Sequence, residues 1–338
     1  MNDNKIYDAS ASIGAREYHK KTGLTKQLKN VEQDFKERFV KYESGEERVR
    51  DEYVDNRKCP LCCSNSGDII FTKNGFEHIR CTCGMIYVSK TLKNEFVNII
   101  YANEAYERET HKSFRTEPRS SFIKAVYEEG FKLIEQAGAL HGLLLDVGTS
   151  SGLFMECAIE RGFKAKGIEP SPYAVEEAAK RGLDVAQGYF QRGFVADNSL
   201  DILTMWDVIE HCKNPDEVLC TAYKALVPGG IVFMQVPNVM GLAPRIMRQD
   251  CNMFTGFGHI NLFGPETLRR ILEKNKFKEV RMQSVISEIS VINNYLNYHD
   301  PYQGPSLEKD NILGILDIET MHKNLWGYKL QVVGKKEN

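Results

Sequence analysis

From residue 141 onward, short apolar runs alternate with amphipathic stretches. LLLDV, KAKGIE, DILTMWDVI and IVFMQVP read as strands, and LFMECAIERG, PYAVEEAAKRG and PDEVLCTAYKALVPGG between them read as helices. Such alternation predicts a parallel sheet with helices on both faces. The tail adds a helix, PETLRRILEKNKF, and two strand-like runs, FKEVRMQSV and GYKLQVVGKK. Upstream, FIKAVYEEGFKLIEQAG reads as a helix stopped by Gly138. The pattern divides the chain into a helical extension (1–57), a compact cysteine-rich block (58–90), a helical linker and substrate-side cap (91–140) and a final α/β domain (141–338). In the extension, Leu24, Leu28, Val31, Phe35 and Phe39 fall on one helical stripe, as expected of a docking segment.

Composition narrows the classes. The 338 residues carry 44 Lys+Arg against 46 Asp+Glu, a net charge of −2. That balance provides no bulk basic field for nucleic acid. No run approaches the about 20 apolar residues of a membrane span, and the N-terminus lacks an apolar signal core, so a cytoplasmic location is expected. Five of the nine cysteines lie between Cys59 and Cys83. In a reducing compartment, such clustering points to a metal rather than to disulfides.

The run LLLDVGTSSGLF is a strand, a glycine-bearing turn and a helix start. Gly148 and Gly152 stand where the backbone must bend sharply or approach a ligand. Glu169 ends the next strand, placed to accept hydrogen bonds from ribose hydroxyls at the carboxyl edge of a parallel sheet. The turn has neither the triphosphate loop pattern nor G-x-G-x-x-G. Asp146, two residues before Gly148, would repel a pyrophosphate and suits a ligand with an ammonium group.

DVGTSSG followed by Glu169 resembles the first two cofactor motifs of class I S-adenosylmethionine-dependent methyltransferases. SLDILTMWDVIEHCKNPDEVL, KALVPGGIVFMQVPN and FGHINLFGPETLRRILEKNKF resemble later segments of the subgroup containing ubiquinone-biosynthesis and deoxysugar methyltransferases. The resemblance implies a Rossmann-like, doubly wound sheet of seven strands with a small N-terminal zinc-binding module. It implies that Gly148 and Gly152 approach the methionine moiety and that Asp146 holds its ammonium. It further implies ribose binding by Glu169, proximity of Gln187, Gly188 and Tyr189 to the adenine, and proximity of Trp206 and Asp207 to the cofactor. Ser150 departs from the family, which usually has a second glycine there.

The cysteine block reads C-P-L-C-C, then a strand–Asn-Gly–strand segment, then C-T-C-G. Two pairs separated by a hairpin resemble a zinc ribbon, in which thiolates on two turns close a tetrahedron around a structural Zn²⁺. The expected ligands are Cys59, Cys62, Cys81 and Cys83, with Cys63 or His78 as replacements, because C-x-C is one residue tighter than usual.

The methyl donor is already activated, so alignment and proton removal remain for the enzyme. His259, in the loop GFGHINLF, is the first candidate base and His211, after the fourth strand, the second; His211 equally suits a loop-ordering role. Tyr101 and Tyr106 are candidates for the substrate entrance, Glu210 for a second polar contact, and residues 286–325 for a lid. The expected acceptor is an oxygen or carbon of a small molecule such as a sugar, nucleotide-linked sugar or secondary metabolite. Alternatives are an RNA or protein methyltransferase docking through the zinc module, and a non-catalytic S-adenosylmethionine-binding protein.

Overall fold

The computed structural model describes residues 24–43, 45–101, 108, 111, 114–117, 119–298 and 317–337. The chain forms two compact units that interleave in sequence. The first comprises Met1–Ile100, Pro237–Gly264 and Ser284–Lys329; the second comprises Tyr101–Val236, Pro265–Gln283 and Leu330–Asn338.

The second unit is built on a seven-stranded sheet. Its strands are β1 (Leu143–Val147), β2 (Lys164–Glu169), β3 (Val185–Gln187), β4 (Leu200–Trp206), β5 (Leu226–Pro237), β6 (Phe277–Val285) and β7 (Lys329–Lys336), in spatial order β3-β2-β1-β4-β5-β7-β6. The first five in that order run parallel. This is the Rossmann-like sheet that the alternating pattern predicts. Helix α1 (Arg119–Gln136) precedes β1, and α2 (Leu153–Glu160), α3 (Pro172–Ala179), α4 (Pro215–Ala225) and α5 (Pro265–Lys274) form the crossovers.

Local chemistry fixes the helix starts. Ser171 accepts a hydrogen bond from the Ala174 N–H, and Asn214 one from the Glu217 N–H, each with a proline in the first turn. Phe131, Leu133 and Ile134 of α1 pack with Phe154, Ala158, Ile202 and Phe233 to form the core beside the sheet. One boundary differs from the sequence pattern. Leu226–Gly230 continue β5 rather than ending α4, and a register shift opposite Leu200–Ile202 absorbs the Pro-Gly-Gly.

In the first unit, Gly67–Lys73, Phe76–Cys81, Ile86–Val88 and Asn261–Leu262 form an antiparallel sheet. The predicted hairpin turns at Asn74 and Gly75, with φ of 52° and 81°; two left-handed residues are what a two-residue hairpin turn with the sheet's own twist requires. Phe35 and Phe39 of the helix Leu24–Phe39 are buried with Val49, Phe76 and Val88. The side chains of Leu24, Leu28 and Val31 lie outside the described residues. Among the described residues, no helix is long and apolar enough to cross a membrane.

Candidate cofactor site and cysteine cluster

The glycine turn joins β1 to α2. The Gly148 N–H donates to the Ile168 carbonyl at 2.8 Å, so the turn is tied to the strand that ends in Glu169. Gly148 and Gly152 both have left-handed backbones, at φ 71° and 83°. A Cβ on Gly152 would stand 2.1 Å from Leu183 Cδ1. Glycine is therefore demanded there both by conformation and by space. Ser150 also has positive φ, 54°, which explains the family's usual glycine at this place. The left-handed conformation costs a side-chain-bearing residue roughly 1–2 kcal/mol. Two hydrogen bonds at the residue offset it: its N–H donates to Glu169 Oε2 at 2.9 Å, and its hydroxyl lies 2.9 Å from His111 Nδ1.

Glu169 holds two loops at once. Oε2 accepts from Ser150 and Oε1 accepts from the Ser171 N–H at 2.9 Å. A carboxylate offers about four lone-pair sites, so the same group can orient its loops and accept ribose hydroxyls. Asp146 sits beneath the turn, 2% exposed, with the Thr204 hydroxyl of β4 donating to its Oδ1 at 2.7 Å. Burial pushes its carboxyl up to about 7; the hydrogen bond from Thr204 opposes the rise and the charge of Glu169 adds to it.

Gln187 ends β3, followed by Gly188 and Tyr189; Gln187 and Tyr189 are exposed and Gly188 half-buried. Trp206 ends β4, and its indole lies within 4.5–4.9 Å, centroid to centroid, of Phe233, Tyr127 and Phe154. Its ring thus joins the packing against α1, while its neighbour Asp207 turns out of the strand at φ 55°. Asp207 Oδ2 accepts from Gln235 Nε2 at 3.1 Å. His211 closes the short helical turn Ile209–His211 after β4, with Nε2 4.0 Å from Oε1 of the buried Glu210.

His259 belongs to the first unit. Its Nδ1 lies 2.8 Å from the Met253 carbonyl oxygen. A carbonyl only accepts, so Nδ1 carries the proton and, in the neutral ring, the basic lone pair is on Nε2. Tyr106 lies outside the described residues, as does the side chain of Tyr101; residues 299–316 of the expected lid do as well.

The sulfurs of Cys59, Cys62, Cys81 and Cys83 all lie within 4.8 Å of one another, with Cys59–Cys83 at 3.6 Å and Cys62–Cys81 at 3.4 Å. Zinc–sulfur bonds of about 2.3 Å place tetrahedral thiolates about 3.8 Å apart, and the set fits that cage. Two tight turns aim the sulfurs: the Cys63 N–H donates to the Cys59 carbonyl and the Gly84 N–H to the Cys81 carbonyl. Cys63, at φ 60°, is exposed and outside the group. His78 is also outside it, buried against Phe71 and Phe254. Neither replaces a cysteine here.

Two groups at the turn escaped the sequence reading. Arg115 Nη2 donates to the Ser151 carbonyl at 2.6 Å, its Nε to the Ser151 hydroxyl at 3.2 Å and its Nη1 to Glu156 Oε2 at 2.9 Å. His111 meets Ser150, as above, and burial pushes its imidazole down to about 4. Neither sits in a recognisable spacing, because both partners are more than thirty residues away in sequence.

Residues 119–281 match the family model described as a methyltransferase domain. A ubiquinone biosynthesis O-methyltransferase of Caulobacter vibrioides is 37% identical over 136 residues, covering 36% of this chain and 51% of the relative. One from Pseudomonas paraeruginosa is 29% identical over 113 residues, covering 31% and 48%. The chain thus spans about half the length of the curated relatives it matches. Among solved structures, an S-adenosylmethionine-dependent methyltransferase of Thermotoga maritima aligns at 20% identity over 69% of this chain and 98% of that one, with a TM-score of 0.45. A Pyrococcus horikoshii protein aligns at 14% identity over 69% and 99%, with a TM-score of 0.49. The matched segment begins at α1 and carries the glycine turn, Glu169 and the end of β4, and over that segment the chain is similar to methyltransferase domains.

Proposed function

We propose that the protein transfers a methyl group from S-adenosylmethionine to an oxygen or carbon of a small molecule. The observation that carries this is a coincidence of place. The methyltransferase match falls on the turn where Ser150 and Ser171 N–H groups converge on one carboxylate at the end of β2. When bound, the cofactor supplies a methyl already activated on a sulfonium. Glu169 would accept from its ribose, the turn from Gly148 to Gly152 would carry the methionine moiety, and Asp146 would provide negative charge under the ammonium. Gln187 and Gly188, and Trp206 and Asp207, are proposed neighbours of the adenine and of the methionine end. His259 is the proposed general base, through Nε2, and His211 the second candidate. The relatives' O-methyltransferase names support an oxygen acceptor.

Cys59, Cys62, Cys81 and Cys83 are proposed to hold one structural Zn²⁺. A closed set of four thiolates leaves no position for substrate.

Calorimetric titration with S-adenosylhomocysteine, with NAD as control, tests the cofactor. Saturable binding of the first alone is expected; binding of NAD alone overturns the reading. Transfer from labelled cofactor to a metabolite pool, and not to RNA or protein, is the expected second result.

A further inference from the structure

Three glutamines form a hydrogen-bonded chain through the second unit. Gln283 Nε2 donates to Gln331 Oε1 at 2.9 Å, and Gln331 Nε2 donates to Gln235 Oε1 at 3.0 Å. Gln235 Nε2 donates to Asp207 Oδ2 at 3.1 Å. The chain crosses β6, β7 and β5 and ends on the loop after β4. Gln331 and Gln235 are 0% and 5% exposed, so their amides cannot trade these partners for water.

The direction of every amide is fixed. Gln283 and Gln331 also donate to backbone carbonyls of α1, those of Glu129 (3.3 Å) and Val126 (3.1 Å). Carbonyls and carboxylates accept and never donate. With acceptors at both ends, flipping any one amide places oxygen against oxygen. The network therefore has one arrangement, with a donor aimed at Asp207. Gly130 permits it: a Cβ there would stand 2.4 Å from Trp206 Cη2, so only glycine lets α1 approach closely enough for both side chains to reach its carbonyls. Gln235 also fixes the backbone of Asp207, whose N–H donates to the Gln235 carbonyl at 3.0 Å.

We infer that Gln235, braced by Gln331 and Gln283, is a positioning residue. It holds the Asp207 carboxylate oriented at the carboxyl edge of the sheet to receive a donor group of the bound cofactor. This rests on the proposed function and deepens it. Gln235 reaches the ligand only through Asp207.

The test is a double-mutant cycle on S-adenosylhomocysteine binding by calorimetry, using Gln235→Met, Asp207→Ala and the pair, each checked for folding by circular dichroism. Gln235→Met is expected to weaken binding about tenfold, the size of one hydrogen bond to a charged group. The pair is expected to bind no more weakly than Asp207→Ala alone. Additive losses, or unchanged binding by Gln235→Met, overturn the inference. Gln235→Glu keeps the shape and serves if Gln235→Met does not fold. It places a second acceptor against Asp207 and must take up a proton to donate, so its affinity relative to the wild-type protein at the same pH is expected to recover as pH falls from 8 to 5. A Gln235→Glu affinity that keeps a constant ratio to the wild-type value across this range overturns the inference too. Failure of the wild-type protein to bind S-adenosylhomocysteine at all refutes the proposed function instead, which keeps the two failures distinct.

Discussion

Asp146→Asn is expected to stabilise the protein and impair ligand binding together. The Asp146 carboxyl rises from 3.8 to about 7, chiefly through burial. At about 1.4 kcal/mol for each tenfold, that rise corresponds to about 4 kcal/mol of ionisation cost above neutral pH. The sign follows from proton binding. Between pH 4 and 7 the folded state holds a proton that the unfolded state releases, so stability falls as pH climbs through that window. Asparagine removes the ionisation cost and still offers Thr204 an acceptor, but its new N–H₂ must find partners, an offset of about 1–3 kcal/mol. A net gain of about 2 kcal/mol at pH 8 raises Tm by about 4–8 °C for a unit of this size. At pH 4 the ionisation cost is nearly gone and the N–H₂ offset remains, so the gain is expected to give way to a loss of about 1–3 kcal/mol. Thermal scans at the two pH values read the effect directly. Calorimetry at pH 8 is expected to show S-adenosylhomocysteine binding weakened tenfold or more, because a cationic ammonium loses its counter-charge. An equal Tm shift at pH 4 and pH 8 refutes the burial argument, and unchanged affinity refutes the ammonium assignment.

Other substitutions probe separate features. Gly152→Ala is expected to lower stability by about 1–3 kcal/mol, since it meets Leu183 and a left-handed backbone at once; pairing it with Leu183→Ala relieves only the clash, and full recovery in a denaturant titration contradicts the backbone term. Metal analysis of the purified protein is expected to find one zinc per chain. Cys83→Ser is expected to lose that zinc and lower the first thermal transition, whereas Cys63→Ser retains both, and zinc loss in Cys63→Ser would reassign the ligand set. His259→Ala is expected to reduce kcat by about 10²–10⁴; near-wild-type turnover across pH excludes it as the base.

Much of this was written in local chemistry. The alternation of apolar runs specified a Rossmann-like sheet, because a strand buried on both faces and an amphipathic crossover helix leave different periods in the chain. Asn74–Gly75 announced its hairpin, since few other residue pairs accept two left-handed conformations. The turn from Gly148 to Gly152 and the acid at Glu169 were legible for the same reason: each residue type answers a constraint within a few positions of itself.

The cysteine set was legible only in part. The spacing left Cys63 and His78 in contention; the folded chain gathers the four sulfurs of Cys59, Cys62, Cys81 and Cys83 and buries His78 between aromatic rings. Long-range polar contacts left no trace. Gln235, Gln331 and Gln283 read as ordinary polar positions in strands, because period alone does not reveal that α1 covers that face. Arg115 and His111 found partners on a turn distant in sequence, where no local pattern couples them. The interleaving of the two units has the same origin. Val239, Met247 and Phe254 pack with Ile86 in one core, and burial is blind to sequence order. The sequence by itself determined the elements, the turns and the chemical groups at the strand ends. Tertiary structure decided which buried amides, charges and sulfurs meet, because those pairings depend on distances that only packing sets.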